Sequence, residues 1–257
     1  MKKEIISVMR RYELKYVLSK DQVIYFQNKI SSYMKIDQYG LTTISSLYYD
    51  TPSFTLINRS LEKPFYKEKL RLRSYGLANE NSLVFLEIKS KNEKIVYKRR
   101  IASNENKVNE FFEKNIPFDE EQISRELMAF KEKYHHLEPK YLILYDRTSY
   151  YMENSDLRIT LDMNPRYRTS ELNLHTSLEG TPLLKEGEAI LEIKVQHSIP
   201  LWLSKILTEG KIYQSSFSKV GNAHKREIEK TRKQNIIVFS KNNLTYRKGE
   251  QQYGFVI

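Results

Sequence analysis

The feature that most limits how this chain can fold is a strict alternation of charged and apolar residues, repeated in one segment after another. Successive side chains on a strand point to opposite faces, so each such segment reads as a strand with one apolar and one charged face. In Arg11-Tyr12-Glu13-Leu14-Lys15-Tyr16 the charged set is Arg11, Glu13 and Lys15. Lys69, Arg71 and Arg73 share a face in residues 69–74, as do Glu87, Lys89 and Lys91 in 86–91, and Lys98 and Arg100 in 96–100. Further along, Arg158, Thr160 and Asp162 fall together, then Glu192 and Lys194, whereas Asp146 and Arg147 fall on opposite faces. Another strand over 44–49 ends in the turn signal Asp50-Thr51-Pro52.

Between these strands the apolar period changes to that of a helix. Ser19 and Gln22 form a capping-box pattern ahead of Val23, Phe26, Ile30 and Tyr33, which predicts a helix over 19–34. Ile123, Leu127, Phe130 and Tyr134 predict one over 119–136. Others are expected at about 108–112, at 200–208 (stopped by Gly210) and at 222–233. The fold class is therefore α+β, an antiparallel sheet whose apolar faces are covered by amphipathic helices. The charged faces leave two arrangements. An open sheet could turn them to water, or the sheet could close into a barrel with the charges lining its interior.

Composition bears on that choice. The chain carries 43 Lys and Arg against 32 Asp and Glu, a formal charge of +11, which favours a polyanionic partner. The charged strand faces hold far more cations than acids. Like charges on neighbouring strands destabilise a sheet unless something neutralises them, and enclosure raises that cost. A polyphosphate would do so, with Arg binding bidentately and Lys as a point charge. Glu13, Glu87 and Glu192 each precede a Lys by two residues, and such carboxylates are hard ligands suited to Mg²⁺ or Mn²⁺. Other chemistries lack support. There is no Gly-x-x-x-x-Gly-Lys loop, no nucleophile elbow and no cysteine, and the five histidines show no metal-ligand spacing. Low Gly and Pro content suggests one main domain over 1–233 with an extension over 234–257, where Ile236 to Phe239 would add an edge strand or meet a partner. No secretory or membrane-spanning run is present, so a cytoplasmic protein is expected, with its basic surface open to peripheral membrane association.

The ordered set Arg-Tyr-Glu-Leu-Lys-Tyr (11–16), Leu-Tyr-Tyr-Asp-Thr (47–51), Leu-Arg-Leu-Arg-Ser-Tyr-Gly (70–76), Leu-Glu-Ile-Lys (86–89 and 191–194), Tyr-Asp-Arg-Thr-Ser-Tyr (145–150), Leu-Arg-Ile-Thr-Leu-Asp (157–162) and Ser-Phe-Ser-Lys (216–219) resembles the VTC domain. That is the polyphosphate polymerase domain within the triphosphate tunnel metalloenzymes. The resemblance spans residues 8–226 and implies an eight-stranded antiparallel β-barrel around a basic tunnel, with helices outside. It implies that Lys15, Arg71, Arg73, Lys89, Lys98, Arg147, Arg158, Lys194 and Lys219 hold phosphates, and that Ser218 and Lys219 form a polar clamp. Arg71, Arg73 and Lys219 would be the catalytic set. Glu192 would be the principal ligand of a divalent metal, Mn²⁺ or Mg²⁺, with Glu13 either a second ligand or an ion-pair partner. The implied reaction moves the γ-phosphoryl group of ATP onto inorganic polyphosphate, with a membrane protein as a further partner and no role for nucleic acid. Hydrolytic members carry Glu-x-Glu-x-Lys on the first strand, where this chain has Arg11-x-Glu13-x-Lys15, which tilts the expectation from cutting phosphate chains toward building them. A triphosphatase and a non-catalytic polyphosphate or nucleic-acid binding module are the alternatives.

Overall fold

The computed structural model describes residues 12–62, 64–93 and 95–250; Arg11, on which the polymerase-versus-hydrolase distinction turned, lies outside them. The described elements run in the order β1 (Tyr12–Leu18), α1 (Lys20–Ile30), β2 (Lys35–Asp50), α2 (Thr55–Leu61), β3 (Tyr66–Tyr75), β4 (Val84–Asn92), β5 (Ile95–Ser103), α3 (Glu105–Lys114), α4 (Gln122–Tyr134), β6 (Glu138–Tyr151), β7 (Arg158–Arg168), β8 (Thr181–Pro182), β9 (Ala189–Val195), α5 (Leu201–Glu209) and α6 (Lys219–Glu250). The predicted alternation and the predicted capping box are both present: Ser19 accepts from the Gln22 amide, and the Gln22 side chain accepts from the Ser19 amide.

All pairings are antiparallel, in the order β1-β9-β7-β6-β2-β3-β4-β5, with the two-residue β8 hung on β7. The even-numbered residues of β3 and β4 (Leu70, Leu72, Leu86, Ile88) face outward and pack under α3 and α4 with Val108, Phe111, Leu127 and Phe130. On the other flank, Leu18, Ile159, Leu161, Leu191 and Ile193 pack under α1 and α5 with Phe26, Ile30 and Leu203. Two apolar layers thus press the sheet from outside and leave its charged face on the inside of the curve.

The eight-strand antiparallel path matches the expectation, but the ladder does not close. β1 and β5 end the hydrogen-bonded path without pairing with each other. The reason is local: the free edge of β1 is already occupied. Tyr16 bridges Gln214, and the Ser215 amide donates to the Lys15 carbonyl at 2.8 Å. Side chains close the seam instead, where Lys89 of β4 reaches Glu13 of β1 at 3.2 Å.

At one end the concave face is filled by apolar residues of α2 and α6. Ile57, Val220 and Ala223 meet Ile44, Tyr141, Ile143 and Tyr167 there. The short α2 escaped the sequence reading because Asp50 looked like a turn residue. Its carboxylate in fact caps the helix: Oδ1 accepts from the Leu56 amide and Oδ2 from the Ile57 amide, both at 2.8 Å. The edge strand expected over 236–239 is not formed; the backbone there is helical, part of α6. Those residues lack the alternation of the true strands and extend a helix already propagating from Lys219. No helix among the described residues is long and apolar enough to cross a membrane.

Candidate functional site

The charged part of the concave face is assembled from seven strands and the first turn of α6. Among the described residues, Lys15, Lys69, Arg71, Arg73, Lys89, Lys98, Arg147, Lys194 and Lys219 face Glu13, Glu87, Asp162 and Glu192, so cations outnumber the carboxylates that balance them.

The carboxylates form nodes. Glu87 is fully buried; it binds Arg71 Nε at 2.7 Å and Lys98 Nζ at 2.7 Å, with Arg73 Nη1 at 3.9 Å. Burial alone would raise its carboxyl strongly, but Arg71, Arg73 and Lys98 overrule it and hold it at about 2. Asp162 and Glu192 make the second node. Arg147 grips Asp162 bidentately at 2.6 and 2.8 Å, and Lys219 binds the same carboxylate. Glu192 takes Lys15 at 2.9 Å and Lys194 at 3.5 Å. Its burial is offset by Lys15, Lys219, Lys194 and Arg147, which leave it well below the ordinary carboxylate range.

Lys69 departs from this pattern. Among the described residues it has no carboxylate partner; its ammonium donates to Ser218 Oγ at 3.1 Å. Burial, helped by Lys89, Lys15 and Lys67, pulls it down to about 8. Ser218 also accepts from the Gly221 amide at 3.2 Å and so caps α6, which fixes the helix start against β3. Two tyrosines complete the lining. Tyr48 OH accepts from Arg71 at 3.3 Å, and Tyr145 OH accepts from Arg73 at 3.1 Å while Lys219 lies over its ring at 4.3 Å. Burial raises the Tyr48 phenol, but Arg71 and Lys69 outweigh it and bring it to about 7.

Of the residues expected at the site, Lys15, Arg71, Arg73, Lys89, Lys98, Arg147, Lys194, Ser218, Lys219, Glu13 and Glu192 are brought onto this one face. Arg158 is not. It is exposed at the start of β7 and donates to the carbonyls of Ser155 and Leu157, both at 2.9 Å. Lys69, Asp162, Tyr48 and Tyr145 were not singled out from the sequence. Lys69 and Asp162 could have been, since each shares its strand's alternation with a residue that was.

Among the described residues no three carboxylates or histidines converge as a metal cage. Two carboxylates do converge on one cation: Glu13 Oε1 and Glu192 Oε1 lie 3.0 and 2.9 Å from Lys15 Nζ. The ammonium occupies the place of a bridging cation. This donor set suits an ion such as Mg²⁺, which binds through one or two carboxylates and takes its remaining ligands from phosphate and water.

The VTC domain profile matches residues 10–226. No curated protein matches by sequence. Among solved structures, a candidate adenylate cyclase from Bacillus halodurans is similar over 83% of this chain and 96% of its own, at 15% identity and a TM-score of 0.52. A candidate adenylyl cyclase from Hippeastrum, described as having a dominant triphosphatase activity, is similar over 82% and 93%, at 16% identity and a TM-score of 0.49. At 15% identity the likeness to the first of these is one of fold.

Proposed function

The chain belongs to the VTC domain family, and from that premise we propose that it transfers the γ-phosphoryl group of ATP to a growing inorganic polyphosphate along its cationic concave face. The observation that carries this reading is the uncompensated charge: Lys69 is half-buried among other cations, with no carboxylate partner among the described residues. Such a cation is costly in the absence of a ligand and is relieved by a polyanion. Arg71 and Arg73 present guanidinium groups to phosphate from adjacent inward positions of β3. Lys219, at the first turn of α6, approaches the same space from the opposite wall.

Phosphoryl transfer needs positioning and charge neutralisation more than covalent chemistry from the protein. Arg71, Arg73 and Lys219 supply both at the reacting phosphates, and Lys15, Lys89, Lys98, Arg147 and Lys194 hold the rest of the chain. Glu13 and Glu192 would hold Mg²⁺ or Mn²⁺, which would add positive charge at the phosphate oxygens.

The test uses the purified chain with ATP and Mn²⁺, with and without a short polyphosphate primer. Acid-labile phosphate chains should form with stoichiometric ADP. Orthophosphate release without chain growth would replace the polymerase reading with a triphosphatase. Binding of tripolyphosphate without turnover would reduce the protein to a binding module.

A further inference from the structure

The charged alternation breaks at one rim of the concave face, and it breaks toward aromatics. The inward series of β3 runs Lys69, Arg71, Arg73 and then Tyr75; that of β4 begins with Phe85 before Glu87 and Lys89. The register brings the two breaks together, because Phe85 lies opposite Arg73 and Tyr75 is the next inward residue after it. The rings meet at 83° with centroids 5.7 Å apart, forming a corner. On β5, Arg100 places its guanidinium 4.5 Å from the Phe85 ring centre. Among the described residues Arg100 has no carboxylate partner.

Packing does not account for these residues. Neither ring joins the apolar clusters that hold the sheet, and Tyr75 remains 51% exposed. Across β2, Tyr75 stands opposite Ile44 of the apolar cluster filled by α2 and α6, so the corner borders that filling while the Tyr75 ring itself stays open.

We infer that Tyr75, Phe85 and Arg100 form a stacking platform for the nucleobase of a nucleoside triphosphate whose phosphates extend inward to Arg73 and Arg71. This rests on the proposed use of ATP as phosphoryl donor and adds where its base is held. The occupant follows from continuity: the corner abuts Arg73, whose side chain belongs to the phosphate-facing set, and a nucleotide joins a flat π-surface to a polyanion. Stacking is indifferent to the identity of the base, so the platform selects nucleotides over inorganic triphosphate without selecting among bases.

The experiment measures affinities for ATP, GTP and inorganic tripolyphosphate by calorimetry in Mn²⁺, using the full chain and the variants Tyr75→Ala and Phe85→Leu. Phe85→Leu keeps an apolar side chain at the half-buried position. Melting temperatures report whether each variant is folded, and Phe85→Trp serves as the conservative replacement. The expected result is a loss of ATP and GTP affinity on the order of tenfold for each variant. Tripolyphosphate affinity should hold within twofold, and Phe85→Trp should bind ATP as the wild type does. Equal losses for all three ligands would overturn the platform and make the rings structural. No loss for any ligand would also overturn it, while leaving the phosphate site intact. If the wild type bound ATP but not tripolyphosphate, the phosphate-site reading would fail and the platform would fail with it.

Discussion

Replacing Glu87 by Gln isolates the principle on which the site is built. The substitution keeps the shape of a fully buried side chain but removes the one negative charge shared by Arg71, Arg73 and Lys98. A carboxyl held at about 2, against an ordinary 4.5, stabilises the fold by roughly 3 kcal/mol at neutral pH, at 1.36 kcal/mol per tenfold change in proton affinity. Breaking a buried ion pair from one side gives a comparable figure of about 3–5 kcal/mol. Because the folded carboxyl titrates below the unfolded one, this contribution is whole above about pH 4.5 and is lost as the pH falls toward 2. For a chain of this size about 3 kcal/mol corresponds to a fall of roughly 6–12 °C in Tm. Scanning calorimetry in a phosphate-free buffer at pH 7 would read it. Saturating tripolyphosphate should then narrow the gap between variant and wild type to less than half, because phosphate oxygens replace the missing counter-charge. A gap unchanged by tripolyphosphate would refute the reasoning, as would a variant as stable as the wild type in anion-free buffer.

Arg147→Ala should weaken tripolyphosphate binding at least about tenfold more than Arg158→Ala, since Arg147 lies on the charged face and Arg158 is held by two backbone carbonyls outside it; equal losses would return Arg158 to the site. Lys69, pulled down to about 8, should regain its proton when phosphate binds, so binding at pH 8.5 should take up protons. Calorimetry in buffers of different ionisation heat would show the uptake, and an unchanged uptake in Lys69→Met would assign it elsewhere. Glu192→Gln should abolish the response of turnover to Mn²⁺, and an undiminished Mn²⁺ titration would remove Glu192 from the metal site. Asp50→Asn should cost about 2 kcal/mol, because the new NH2 group cannot accept from one of the two α2 amides and leaves it unpaired, seen as a lower urea midpoint; no change would mean the cap contributes nothing.

What could be read from the sequence followed from periodicity. Segments with one apolar and one charged face, such as 69–74 and 191–196, declared both their strand and their inward residues. The capping box at Ser19 declared the start of α1. What could not be read depends on contacts between distant segments. Asp50 caps a seven-residue helix whose stability comes from packing against α6 and β3, not from its own propensity. Arg158 has the parity of an inward residue, yet nearby carbonyls at the strand end capture it. The unclosed ladder was equally hidden, because it depends on residues 214–215 reaching the edge of β1 before β5 can.

That unclosed ladder has a consequence for solubility. An unpaired strand is a template for another chain, and proteins often protect such an edge with positive charge. β5 carries Lys98, Arg99 and Arg100 in succession; Lys98 and Arg99 are ion-paired to Glu87 and Glu126, and Arg100 adds positive charge that opposes a second molecule approaching edge to edge. Lys98 also belongs to the surface that a polyanion would neutralise. On the proposed function, a long polymer would act on two equilibria at once: it would offset the crowded cations inside the sheet and weaken the repulsion between separate molecules.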